Sequence, residues 1–145
     1  LAWKWEHPKG LHTFVWGTLI DKDKNIYIIA MQGLYKLNPD GELLWQREDI
    51  KGSEMGSISG NALCTMHEGK PAVMNCVDTS SGNTLWNRTV AEAAGSEGDM
   101  VTSNNGVLVA AVGSGEPDFA EAGAAAERVI GLNISTGDEL WTYKP

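Results

Sequence analysis

The chain has 145 residues, a formal net charge of −8 and a pI near 4.7. That length suits one ordinary domain, and an acidic balance with Lys and Arg scattered along the chain argues against a general nucleic-acid binder. No apolar run approaches the length of a membrane span.

The chain opens on Leu1-Ala2-Trp3, which matches Leu43-Leu44-Trp45 further on. Residues 13–20 then read as a first strand, 21–25 as a polar turn, 25–31 as a second strand, 34–37 as a third and 43–47 as a fourth. In the next unit the second, third and fourth strands are expected at 61–66, 71–77 and 84–89, with a turn at 67–70. The last unit offers strands at 100–103, 107–112, 129–133 and 139–143. Its long connection, 113–128, is rich in Ala and Glu and reads as a short helical turn or as a contact element at a rim.

Three stretches repeat one pattern: an apolar strand, an Asn or Asp, a short turn, a Gly, and a Trp four residues after that Gly. They carry Asn38, Gly41 and Trp45; Asp78, Gly82 and Trp86; and Asn133, Gly137 and Trp141. Trp3, Trp45 and Trp86 stand 42 and 41 residues apart, and Trp141 follows after 55. A period near 42 is that of a four-stranded propeller blade, and the Val, Ile, Leu and Tyr content with Gly, Asn and Asp punctuation selects strands over helical repeats. Gly suits a turn residue with positive φ, and Trp brings a large apolar area with an N–H that needs a partner when buried.

These units resemble the repeats of the pyrroloquinoline-quinone-like (PQQ-like) β-propellers, whose Asp/Asn, Gly and Trp pattern forms a tryptophan-docking motif. The resemblance implies an all-β fold, part of a β-propeller, in which each outer-strand Trp packs on the next blade near the motif Gly. The family usually has Ala two residues before the Asp; here those places hold Lys36, Cys76 and Gly131. The expected organisation is the end of a preceding blade at 1–5, then blades at 6–47, 48–90 and 91–145, the last with the insertion 113–128. A closed ring of six to eight blades needs roughly 250 to 340 residues. The chain is therefore expected to be part of a longer propeller, with apolar open faces covered by the missing blades or by another protein chain, a second copy included.

The remaining candidates read mostly as structural. Asp21-Lys22-Asp23-Lys24-Asn25 begins like a calcium loop, but Ile26 and Gln32 stand where Gly and Glu are needed, so a polar turn is expected. His7, His12 and His67 lack metal-ligand spacing and read as solvated loop residues. Trp16, on the presumed inner strand, is expected to pack rather than to stack on a ligand. A hairpin centred on Glu68-Gly69 would set Cys64 opposite Val73 and put Cys64 and Cys76 on opposite faces, as free thiols. Asn87-Arg88-Thr89 and Asn133-Ile134-Ser135 satisfy the N-glycosylation rule; Asn87 is the better acceptor, since Asn133 opens a turn.

Two functions compete. In the first, the chain is a non-catalytic propeller, a scaffold or protein-binding module without cofactor or metal, outside the cytoplasm. In the second, which the resemblance also implies, it is a segment of a quinoprotein alcohol or sugar dehydrogenase using PQQ and Ca²⁺. That family often shows adjacent cysteines and a catalytic Asp near Ca²⁺, neither of which this segment offers.

Overall fold

In the computed structural model, residues 3–10, 14–51, 56–67, 71–91, 100–102, 105–112 and 128–144 are described. They form three antiparallel four-stranded sheets, each laid out in chain order. The first holds β1 (Val15–Ile20), β2 (Ile26–Ala30), β3 (Gly33–Leu37) and β4 (Leu43–Arg47). The second holds β5 (Ser57–Ser59), β6 (Ala62–His67), β7 (Ala72–Asp78) and β8 (Thr84–Ala91). The third holds β9 (Met100–Thr102), β10 (Val107–Val112), β11 (Arg128–Asn133) and β12 (Glu139–Tyr143). This is the all-β blade architecture expected from the repeat. The expected helical turn at 113–128 falls almost wholly outside the described residues, as does His12.

Alternation along the strands makes each middle sheet face a core. Tyr27, Ile29 and Leu34 of the first sheet pack on Leu63 and Val77 of the second. The opposite face of the second sheet, with Cys64, Met66, Met74, Cys76 and Trp86, packs on Leu108, Ala110, Ile130 and Leu132 of the third. A blade thus buries both faces only between neighbours. Burying one Leu, Ile or Val in this way contributes about 1.5–3 kcal/mol. The outermost strands, β4 and β12, are largely solvent-facing.

The first sheet's other face, with Ile28, Ala30, Tyr35 and Leu37, is partly covered by Trp5. His7, expected in solvent, is buried there at 6% exposure. Its Nδ1 accepts from the Lys9 amide at 3.2 Å, and its Nε2 lies 2.7 Å from the Tyr35 hydroxyl. The segment beyond Trp3 therefore lies along the first sheet rather than leaving it, which spacing alone did not reveal. Trp16 is half-exposed and stacks with Phe14, 5.9 Å between centroids, instead of filling a core.

One strand carried no expectation, and one expectation is corrected. β5 has only three residues, Ser57-Ile58-Ser59, too short and polar for an alternation signal. The cysteine register differs. His67 pairs with Val73, so Cys64 lies directly opposite Cys76 on the same face, and the two are joined in a disulfide. The connection is longer than a two-residue turn, and an odd slip in register flips every side chain to the other face.

Candidate functional site

The motif residues meet at the junctions between sheets. Asn38, Asp78 and Asn133 each close a turn with the side chain: Asn38 Oδ1 accepts from the amides of Asp40 and Glu42, Asp78 Oδ1 from those of Ser80 and Ser81, and Asn133 Oδ1 from that of Ser135. Short polar side chains stabilise turns in this way. The turn is completed by the glycine amides, which donate to the Asn38, Asp78 and Asn133 carbonyls at 3.0, 2.8 and 2.8 Å. Hydrogen bonds from the Ser80 hydroxyl and the Ser81 amide hold the Asp78 carboxyl well below the usual carboxylate range.

A turn pinned in this way presents two things to the preceding sheet: a glycine without a Cβ and a free carbonyl. Gly41, Gly82 and Gly137 have φ of +85°, +73° and +76°, a region that costs other residues about 1–2 kcal/mol. Each also lies under an indole ring. A Cβ added at Gly41, Gly82 or Gly137 would stand 2.7, 2.9 or 2.6 Å from Trp3, Trp45 or Trp86. The indole N–H then donates to the carbonyl of the residue after the motif Asn or Asp: Trp3 to Pro39 at 3.0 Å, Trp45 to Thr79 at 3.1 Å, Trp86 to Ile134 at 2.7 Å. Trp86 is 8% exposed and Trp45 partly buried. Trp141 is 43% exposed, and its ring covers Gly131, its own cross-strand partner.

A second repeated contact accompanies the first. Arg47 Nη1 donates to the Gly82 carbonyl at 2.7 Å and Arg88 Nη1 to the Gly137 carbonyl at 3.1 Å. The other guanidinium nitrogen of each reaches the residue two beyond that glycine, Thr84 Oγ1 at 3.1 Å and Glu139 Oε2 at 2.8 Å. Hydrogen bonds to Asp49 push the Arg47 guanidinium pKa up and, reciprocally, hold the Asp49 carboxyl down. These arginines escaped the sequence reading, which took the basic residues as scattered. The signal was present: Trp45-Gln46-Arg47 and Trp86-Asn87-Arg88 share a Trp-x-Arg spacing.

Lys36 is the largest departure from the family pattern, yet it fits the junction. It lies directly opposite Trp45, as Cys76 lies opposite Trp86. It is 7% exposed; its Nζ donates to the Thr79 carbonyl at 2.8 Å, the oxygen that also accepts from Trp45, and stands 5.3 Å from the Tyr27 ring centre. Beside it, between the first two sheets, is a cleft of about 600 Å³. The turns at 21–25, 60–61 and 79–80 border it, with Ile58 and Ser59 of β5.

The Asp21 turn bears on calcium. Asp21 Oδ1 accepts from the amides of Asp23 and Asn25, and Oδ2 from Asn25 Nδ2 and the Tyr27 hydroxyl, all at 2.9 Å. Burial alone would raise this carboxyl, but those hydrogen bonds bring it below the usual range. Burial and the bond to Asp21 push the Tyr27 phenol far up. Three of the four contacts on Asp21 come from its own turn and the fourth from Tyr27 of β2, and among the described residues no group of three or more His, Cys, Asp or Glu side chains is placed to hold a metal ion. Asn87 is exposed on β8.

Known proteins extend this picture. The PQQ_2 family, described as outer membrane protein assembly factor BamB, matches residues 19–145. No curated protein sequence matches. BamB from Moraxella catarrhalis is similar in structure, with a TM-score of 0.62 and 18% identity over 88% of this chain and 36% of BamB. The WD40 repeats of RRP9 superpose with a TM-score of 0.69 at 16% identity, over 94% of this chain and 40% of that one. A quinohemoprotein alcohol dehydrogenase from Pseudomonas putida HK5 gives 0.67 at 13% identity, over 88% and 26%. These likenesses concern the fold, and the chain spans little more than a third of the length of BamB. With three blade sheets in hand and the family match running over most of its length, the chain belongs to the PQQ_2, BamB-type family of β-propeller proteins.

Proposed function

We propose that the chain is a propeller segment whose role is non-catalytic: a scaffold or protein-binding module, a domain or subunit of a larger assembly. The observation that supports this is where the repeated residues are spent. Asn38, Gly41, Trp45, Asp78, Gly82, Trp86, Asn133 and Gly137 all serve turns and sheet-to-sheet contacts, and on this reading they act, with Trp141, as a docking motif. Trp141, Leu140 and Tyr143 would be covered by a further blade of the same propeller or by another chain. The match to a family described as an assembly factor favours the same reading.

On this proposal the protein works outside the cytoplasm. The Cys64–Cys76 disulfide supports that, because such bonds persist in oxidising compartments. No helix among the described residues is long and apolar enough to cross a membrane.

The test is quinone chemistry in the full-length protein. Absorbance spectra and dye reduction with alcohols and sugars, with and without added PQQ and Ca²⁺, should show neither a bound chromophore nor turnover. Quinone-dependent dye reduction would overturn the scaffold reading in favour of a dehydrogenase.

A further inference from the structure

We infer that the cleft between the first two sheets is a carboxylate-binding site with Lys36 as its cation. The carboxylate it takes is an Asp or Glu side chain on an extended segment of a partner protein. The second half rests on the protein-binding reading above; the first does not.

At the position opposite the motif Trp, the second and third sheets carry Cys76 and Gly131, neither of them charged. The first sheet carries Lys36, and the junction it borders opens into the cleft described above. Lysine is almost never so buried without a partner, and a buried charge is costly unless paired. An ammonium has three donors. The Thr79 carbonyl takes one, the Tyr27 ring face offers a weaker electrostatic partner, and among the described residues no carboxylate forms an ion pair with Lys36.

Asp21 borders the same cleft but does not serve. Both its oxygens are taken, two hydrogen bonds each, by its own turn and Tyr27. Lys22 and Asp23 are exposed and offset one another at the rim. The Thr79 carbonyl is already shared between Trp45 and Lys36, and the Thr79 hydroxyl is engaged with Tyr27. An entering carboxylate would complete the coordination of Lys36 by a charge-assisted hydrogen bond. The walls contributed by Ser59, Gly60 and Asn61 are polar and small, which suits a side chain delivered on a backbone rather than a bulky ring.

The experiment is a titration of the full-length protein, labelled at the lysine Cε, with three probes: glutarate, an acetylated Gly-Ser-Glu-Ser-Gly amide, and the same peptide with Gln in place of Glu. The Lys36 resonance should shift with glutarate and with the Glu peptide. The Gln peptide should bind at least about tenfold more weakly. Lys36→Met should lose at least about tenfold in Glu-peptide affinity, Lys36→Arg should keep most of it, and Lys51→Gln, outside the cleft, should be unchanged. If Lys36→Met does not fold, the Arg variant and the wild-type Lys36 signal still decide. Equal binding of the Glu and Gln peptides, unchanged affinity in Lys36→Met, or a Lys36 signal unmoved by any probe overturns the site. Binding of glutarate without the Glu peptide keeps the carboxylate site but overturns the protein partner. None of these outcomes touches the scaffold reading, which falls only on quinone-dependent turnover.

Discussion

The junction between the first and second sheets and the one between the second and third share a plan and differ in what surrounds it. Each has an indole on a positive-φ glycine, an indole N–H on a turn carbonyl, and an arginine on the glycine carbonyl. Trp86 belongs to one buried cluster with Cys64, Cys76, Met66, Met74 and Leu132, and it is 8% exposed. Around Trp45 the neighbours are Lys36, Tyr27 and an open cleft. One repeat can thus supply both a closed structural joint and an accessible one, and a single position, Lys36 against Cys76, marks the difference.

The comparison can be broken by mutation of the full-length protein, followed by denaturant unfolding. Trp86→Ala should have the largest effect, about 3–5 kcal/mol, because it empties a fully packed site. Trp45→Ala should cost about 2–3 kcal/mol, less because its ring is already partly in solvent. Equal losses at the two positions would erase the distinction between closed and open junctions. Replacing Cys64 and Cys76 by Ala should cost about 2–4 kcal/mol, and reducing agent should then have no further effect on the variant. Arg88→Met should cost only about 1 kcal/mol, the net worth of a hydrogen bond at a partly exposed site.

Acid titration sharpens the comparison from the turn side. The Asp78 carboxyl is held low in the folded protein by the Ser80 hydroxyl, the Ser81 amide and Asn61. A depressed folded pKa contributes stability above the unfolded value of about 3.9, and that stability is lost as pH falls toward the folded one. Asp78→Asn should therefore show a shallower loss of stability below about pH 4 than wild type. An unchanged acid limb would mean that the turn does not depend on the carboxylate.

Much of the fold was legible in the sequence because it is written three times. The spacing from Gly41, Gly82 and Gly137 to the tryptophans carries backbone geometry and ring contact in two residue types that few others replace. What stayed hidden was local to one unit or dependent on partners in space. The Cys64–Cys76 pairing hinged on a hairpin length that composition does not set, and its parity decided the face. His7 and Tyr35 meet across 28 positions with no repeat to announce them. Lys36 looked like a flaw because the pattern expects a small residue there, and its acceptor, the Thr79 carbonyl, belongs to another sheet. Arg47 and Arg88 were readable, but only with their acceptors known did the Trp-x-Arg spacing acquire a meaning.

The indole of one sheet, seated on the glycine of the next, forms a coupling between the two. It is tested most directly by a double-mutant cycle on Trp86 and Gly137. With Trp86 present, Gly137→Ala places a methyl against the ring as well as forcing a positive φ, and should cost about 2–4 kcal/mol. In the Trp86→Ala background only the backbone strain remains, about 1–2 kcal/mol, so the two changes should fall short of additivity by about 1–2 kcal/mol. Additive losses would contradict the claim and separate the glycine from the tryptophan it lies beneath.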